Sequence, residues 1–473
     1  MKKLIIYIAL LAFITTSCKD FLIEEPEMSQ SNELTLSKYS GLNDAVAGAY
    51  SPLQSYVWYG ASFILASELR CGNAKNPISL PGSGRYRVDP FWSYGPSATS
   101  SIWNYSYYVI SAVNNVINNL EGKESTEVTT EQINNLMAEA LFIRALVHFD
   151  LVITYAQPYT HAPESLGVPV VLVTENNKPE RNTVKEVYTQ IVKDLTDAEL
   201  LMKDSYKREG IIDAAAGATK PAIQALLSRV YLYMGEWQKS ADCATKVINN
   251  GKYKLADKAT YKAMWTKAVA DAGGEVIFEV YSSSKNEFWD GSGWEQISYI
   301  TTIDGSADVC ATTDLVDLYS DDDVRLELFA KNENDYFSLK YLGKEGSAIP
   351  KENNTVVLRL SEMYLNRAEA ILNGAVITGI TAESDLKKIT DIRGAAPVEA
   401  SGTAIFDERR RELAFEGHIA YDYARNKKSL VRVDYDGMET YRNVPFPNYK
   451  WAMPIPKREM DSNENMVQNE GYN

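Results

Sequence analysis

The sequence predicts a mostly helical protein, with helix pairs stacked into a short solenoid scaffold that carries long irregular loops and a few short strands. Three observations predict this. Several long segments place apolar residues at three-to-four spacing. One such segment breaks at Gly235 and resumes at once as a second periodic stretch. Between the periodic segments lie stretches rich in Gly, Pro and Ser with aromatic residues interleaved, as in Arg70–Ser100 and Ser282–Ala311.

The chain begins with Lys2 and Lys3, an apolar run from Leu4 to Phe13, and the small residues Thr15, Thr16 and Ser17. This is the layout of a secretory signal, and the run is too short to span a membrane. A cysteine directly after small residues, Cys18, predicts cleavage at that point and lipidation of its thiol and new amine. The position three before it, where a lipidation signal usually has leucine, is Thr15. Each buried CH₂ of an acyl chain contributes about 0.8 kcal/mol, so a multiply acylated cysteine holds a protein on a bilayer. Residues 1–17 therefore read as a signal peptide and 18–27 as a lipidated tether. The remaining cysteines, Cys71, Cys243 and Cys310, are odd in number and form no complete disulfide framework. Stability must come from a core, and 45% hydrophobic with 23% charged residues is ordinary globular composition. A net charge of −15 argues against nucleic acid and against strongly anionic polysaccharides.

The helices follow in order. Ser101–Gly122 carries Ile102, Val109, Val113, Val116, Ile117 and Leu120 on one face, with Gly122 as a stop. Thr129 with Gln132 forms the first of two capping-box signals and opens a helix whose stripe runs Leu136, Ala140, Ile143, Val147 and Leu151. Leu141, Ala145 and Phe149 widen that stripe, so the helix is expected to be largely buried. Thr183 with Glu186 opens the next, faced by Val184, Val187, Ile191 and Leu195. Ala222–Met234, a turn at Gly235 and a helix to Asn249 make a hairpin. Its G-x-W-x-x-S-A (Gly235, Trp237, Ser240, Ala241) resembles the turn of tetratricopeptide repeats, where small residues let two helices approach. Val356–Gly374 reads as one further helix, Thr381–Gly394 as its partner, and Phe406–His418 as a helix ended by Gly417. Glu275–Tyr281 reads as a strand. About four pairs would stack as a solenoid.

Long loops inside a compact protein are usually functional, and aromatic content argues against disorder. Thirty Tyr and 8 Trp against 13 Phe favour rings with a polar edge, which suit sugar faces and hydroxyls. The loops supply candidate platforms at Trp58, Tyr59, Tyr86, Phe91, Trp92 and Tyr94, and at Phe288, Trp289 and Trp294; Arg85, Arg87, Asp89 and Asp290 stand beside them as polar partners.

Several blocks, in order along the chain, resemble the SusD/RagB family of outer-membrane nutrient-binding lipoproteins. They are the lipidated start Ser17–Leu22 with Pro26, Ala138–Ala156, the Lys220–Asn250 hairpin, Leu315–Arg325, Val357–Leu372, Glu408–Arg425 and the terminal Pro454–Tyr472. The last block lacks the prolines usual near Asn465 and Gln468–Asn469. The resemblance implies a tetratricopeptide-like helical scaffold divided into an N-terminal SusD-like region, 28–270, and a C-terminal RagB/SusD region, 271–473. It also implies a surface-exposed binder of glycans, or in some branches peptides, that is not an enzyme and needs no cofactor. Its partners would be an oligosaccharide, the outer membrane through the lipid, and a SusC-like TonB-dependent transporter.

Other chemistry finds little support. No G-x-S-x-G, H-E-x-x-H or G-x-x-x-x-G-K-[ST] occurs, so no catalytic residue is assigned. His148, His161 and His418 are far apart in sequence, and His148 is expected as a hydrogen-bonded core residue. Asp321–Asp323 lacks the spacing of a calcium loop and reads as a solvated turn, so no metal ligand is assigned. Arg409–Arg411, between Glu408 and Glu412, reads as local ion pairing on a helix.

Overall fold

Helix formation follows the periodic segments closely. A computed structural model describes residues 36–472, except 81, 90–91, 98–99, 121–127, 176, 209–213, 266–273, 284–295, 345–350 and 436. The main helices are α1 (Tyr39–Tyr50), α2 (Ser62–Arg70), α3 (Ser100–Leu120), α4 (Thr130–Tyr155), α5 (Val184–Leu201), α6 (Lys220–Met234) and α7 (Trp237–Asn249). In the C-terminal part follow α8 (Leu360–Leu372), α9 (Ala382–Arg393), α10 (Gly402–Glu412), α11 (Ile419–Arg425) and the short α12 (Lys457–Ser462). From α3 to α9 each helix packs on the next, which is the stacked-pair scaffold that the sequence predicts.

Both capping boxes form: Thr129 and Thr183 accept from the Gln132 and Glu186 amides, and those side chains return to the threonine N–H groups. The helix α4 is buried on nearly every face, as its apolar residues all round require. At the hairpin, Gly235 ends α6 with φ of 75°, a left-handed conformation that glycine adopts without strain. The small residues do bring α6 and α7 together. Ser240 Oγ donates to the Ser228 carbonyl at 2.8 Å, and Ser228 Oγ donates back to the Ser240 carbonyl at 3.1 Å.

Two expectations are corrected here. Val356–Gly374 is not one helix: Thr355–Arg359 is a strand, β6, paired antiparallel with β2 (Val276–Val280), and α8 begins at Leu360. The β-branched pair Val356–Val357 sits where a partner strand can take its backbone, and pairing overrides helical spacing. The helix predicted to end at Gly417 ends instead at Glu412. Gly417 turns a corner at φ of 84°, donates its N–H to Glu68 Oε1 at 2.9 Å, and lies so close to α2 that an added Cβ would meet Ile64 Cα at 3.2 Å.

A small sheet in the order β1 (Ala74–Lys75), β3 (Cys310–Ala311), β5 (Asp335–Ser338) and β4 (Phe329–Asn332) flanks the helices, and β7 (Leu430–Val431) pairs with β8 (Asn443–Val444). The largest apolar core takes residues from Leu42 to Met466, so both halves of the chain share it. Cys71, Cys243 and Cys310 are buried and free.

A buried ionic cluster joins β2, β6, α9 and α10. Arg393 donates to Glu275 and Glu412, Arg359 to Glu275, Glu412 and Glu416, and Arg325 to Asp323, Glu408 and Glu412. Asp323 is therefore no solvated turn residue; it is buried against Arg325. In the Arg409–Arg411 run only Arg411 pairs locally, with Glu408 at 2.5 Å. Arg409 reaches Asp422 of α11 at 3.0 Å and Arg410 reaches Asn73 at 2.6 Å, so the run ties elements together. His148 lies in the core, with Nδ1 2.9 Å from the Arg144 carbonyl oxygen.

Candidate functional site

Trp58 and Tyr59 are where the site begins, as anchors. The Trp58 indole N–H and the Tyr59 hydroxyl both donate to Asp150 Oδ2 of α4, each at 2.8 Å. Trp58 is 0% and Tyr59 4% exposed, so neither offers a face on which a sugar could stack. The two bonds hold the segment before α2 against α4 and leave its neighbours, Tyr56 and Val57, facing a pocket of about 300 Å³.

The pocket is bounded by α2, the 86–94 loop, the start of α3, the end of α4 and α11. Arg70 closes α2 and is 2% exposed. One guanidinium nitrogen donates to the Lys450 and Trp451 carbonyls at 3.0 and 3.3 Å. The guanidinium also lies 5.0 Å from the Trp92 ring centre and 5.4 Å from that of Tyr94, a cation–π arrangement. Its Nε has no hydrogen-bond partner among the described residues. Trp92 is the support: its indole N–H donates to the Arg70 carbonyl at 2.8 Å, and its ring meets Trp451 edge-on at 4.9 Å. It is 0% exposed, so it too is corrected from platform to packing. These Trp are enclosed because a large apolar ring beside a helix gains more from burial than from solvent.

Tyr86, Asp89 and Tyr94 are brought together at the pocket. Tyr86 takes φ of 63°, a left-handed conformation that costs a non-glycine residue about 1–2 kcal/mol. Its hydroxyl lies 3.2 Å from Ser62 Oγ. The Asp89 carboxylate is partly buried, lines the pocket, and makes no hydrogen bond among the described residues. Burial pushes its pKa up to about 6, with the Arg70 charge pulling the other way. Tyr94 is 4% exposed; its hydroxyl is held by the Lys450 carbonyl, and burial raises its pKa to about 12. Arg87 is exposed beside the loop and does not line the pocket. Trp289 and Trp294, like Cys18, fall outside the described residues.

Sequence reasoning missed Arg70, Phe63, Thr154, Tyr155 and Tyr421, which also line the site. Arg70 had a signal: it is a charge ending the apolar helix SFILASELR, where only a partner or a pocket can hold it. The others lie on helices and meet only through the fold. A wider groove near the C-terminus includes Arg181, but that guanidinium is spent on the Gly167, Leu166 and Val467 carbonyls and on Asn469.

A family profile described as SusD-like, "Starch-binding associating with outer membrane", matches residues 20–232, and a second, the SusD family, matches 329–472. The chain belongs to the SusD/RagB family. Among the similar SusD-like proteins is SusD-like protein P2 of Formosa agariphila, 24% identical over all of both chains. A SusD superfamily structure from Bacteroides thetaiotaomicron is 29% identical with a TM-score of 0.81, covering 91% of this chain and 99% of the other. A laminarin-binding SusD-like protein shares the fold at a TM-score of 0.73 and 24% identity, covering 92% of this chain and all of its own. No helix among the described residues is long and apolar enough to cross a membrane.

Proposed function

We propose that this SusD-like chain is a surface-exposed, Cys18-anchored lipoprotein of the outer membrane that captures oligosaccharide and passes it to a SusC-like TonB-dependent transporter. It binds without chemistry. The observation that carries this reading is the pocket itself. Tyrosine and phenylalanine faces, a buried cation and a carboxylate with no hydrogen bond among the described residues converge in one concavity, which is the equipment for a ring with hydroxyls around it. The family's description as starch-binding and outer-membrane-associated, and the laminarin binding of one relative, support the same class of ligand and place.

Affinity electrophoresis against a panel of neutral polysaccharides tests it. At least one glycan retards the protein, and Tyr86→Ala weakens that retardation about tenfold with a small change in melting temperature, because the ring is only partly buried. Retardation by no glycan overturns the reading; peptide binding in its place would make the chain a peptide-binding member of the family. The anchor is tested separately by growing cells on labelled palmitate: label in the wild type and none in Cys18→Ala is the expected result.

A further inference from the structure

We infer that the wider groove near the C-terminus is a second, separate sugar-binding surface, on which the Tyr449 ring stacks against a pyranose of a neutral polysaccharide while the Glu470 carboxylate accepts from that sugar's hydroxyls. The inference rests on the glycan-binding reading and adds a site to it. No residue lines both the groove and the first pocket.

The ring comes first. The tryptophans and tyrosines that pack loops here are enclosed, but Tyr449 is 41% exposed, and among the described tyrosines only Tyr108 is more so. Tyr108 lines neither concavity, whereas Tyr449 lines the groove. The ring is also held in place. Gly471 packs on it at φ of 83°, where an added Cβ would meet Tyr449 Cδ2 at 2.6 Å, and Tyr472 meets it edge-on with ring centres 5.1 Å apart. Its backbone is tied to the end of α4 by Gln157, whose amide donates to the Asn448 and Tyr449 carbonyls at 3.3 and 3.0 Å. An exposed ring held this way loses little freedom when a sugar stacks on it.

Hydrogen bonding divides the groove into a spent floor and an unspent rim. In the floor, Asn469 accepts from Arg181 and donates to the Tyr155 and Met453 carbonyls, and Gln468 bonds the backbone of Ile455 through both its amide atoms. At the rim, the Tyr449 hydroxyl, the Asn448 side-chain NH₂, the His161 imidazole nitrogens and the Glu470 carboxylate make no hydrogen bond among the described residues. Donors and acceptors therefore stand around one aromatic face, which is what a ring bearing hydroxyls satisfies. An anionic sugar fits worse. Glu470 repels it, no lysine lines the groove, and each nitrogen of the buried Arg181 already donates to the protein. A peptide adding as a strand needs an open strand edge, and none of β1 to β8 contributes a lining residue.

Affinity electrophoresis of the purified protein, in gels holding whichever neutral polysaccharide retards it, tests this. A polysaccharide long enough to meet both sites gains from each, so Tyr86→Ala, which impairs the first pocket, should leave part of the retardation. Tyr449→Ala and Glu470→Lys should each weaken wild-type binding about fivefold, and each should remove most of what Tyr86→Ala leaves. Tyr449→Phe keeps the ring and should keep most of the binding. Glu470 is exposed and bonds to nothing described, so Glu470→Lys keeps the wild-type melting temperature and separates lost ligand from lost packing. Either groove variant, Tyr449→Ala or Glu470→Lys, running as its parent does overturns the second site and leaves the glycan reading intact, even where that variant has lost a peptide instead. Retardation by no polysaccharide overturns both.

Discussion

Single side chains here divide into those that meet ligand and those that aim them. Trp92 belongs to the second kind: it is enclosed, it accepts Arg70 over its face, and it donates to the Arg70 carbonyl. Trp92→Ala should cost about 3–5 kcal/mol, the range for emptying a buried aromatic site, and appear as a large fall in urea midpoint; a variant of wild-type stability would contradict that placement. Asp89, which lines the pocket, is the side chain proposed for the first kind. Between pH 7.5 and 5 it is the group facing the pocket that changes charge: Arg70 stays cationic, and Tyr86 and Tyr94 stay neutral because burial raises both phenols. Its folded pKa, about 6, is above the ordinary carboxylate value, so its contribution to folding is full in acid and lost as pH rises through about 6. Ligand binding runs the other way. Affinity should fall as pH drops through 6, and titration at pH 5, 6 and 7.5 reads the sign. The aromatic stretch was legible as the neighbourhood of the site, because rings in a Gly- and Pro-rich loop mark it. Which ring faces inward was not, since Trp58 is drawn in by a hydrogen bond to Asp150, 92 positions away in sequence.

Among the elements, local signals governed ends and distant partners governed type. Thr129 and Thr183 mark helix starts that form as read, because a capping box is complete within four residues. The stretch from Val356 was misread because its partner strand, β2, lies some 80 positions earlier. The arginines were misread for the same reason: Arg409 has an acid next door in sequence, yet binds one on another helix. The cluster around Glu412 shows what such long-range pairing is worth. Three guanidinium groups, from Arg325, Arg359 and Arg393, hold Glu412 well below the usual carboxylate range despite its burial. A depressed folded pKa means stability that is complete above the ordinary carboxylate range and lost as pH falls through the lower value. Glu412→Gln leaves buried guanidinium charge uncompensated and should cost about 3–5 kcal/mol at pH 7, read by chemical denaturation. The deficit relative to wild type should shrink in strong acid, where the wild type loses the same charge.

For the molecule as a whole, the stacked-helix scaffold was legible because its periodicity repeats from α3 to α7 and its hairpin is closed by residues adjacent in sequence. The pocket was only half legible, being assembled from α2, α4 and α11, which no local pattern links. That assembly depends on close contacts such as Gly417 against Ile64, where the C-terminal part reaches the helix carrying Arg70.

The three unpaired thiols carry a last consequence. Burial pushes Cys71 and Cys243 up to about 12 and Cys310 higher still, so hardly any thiolate, the form that attacks disulfides, exists at neutral pH. The described cysteines form no disulfide, so folding of these residues calls for no thiol oxidation or disulfide exchange. A leaderless version made in the reducing cytoplasm of a laboratory host should match the exported protein in thermal midpoint, with or without dithiothreitol, and a shift of several degrees on adding the reductant would show a hidden cross-link.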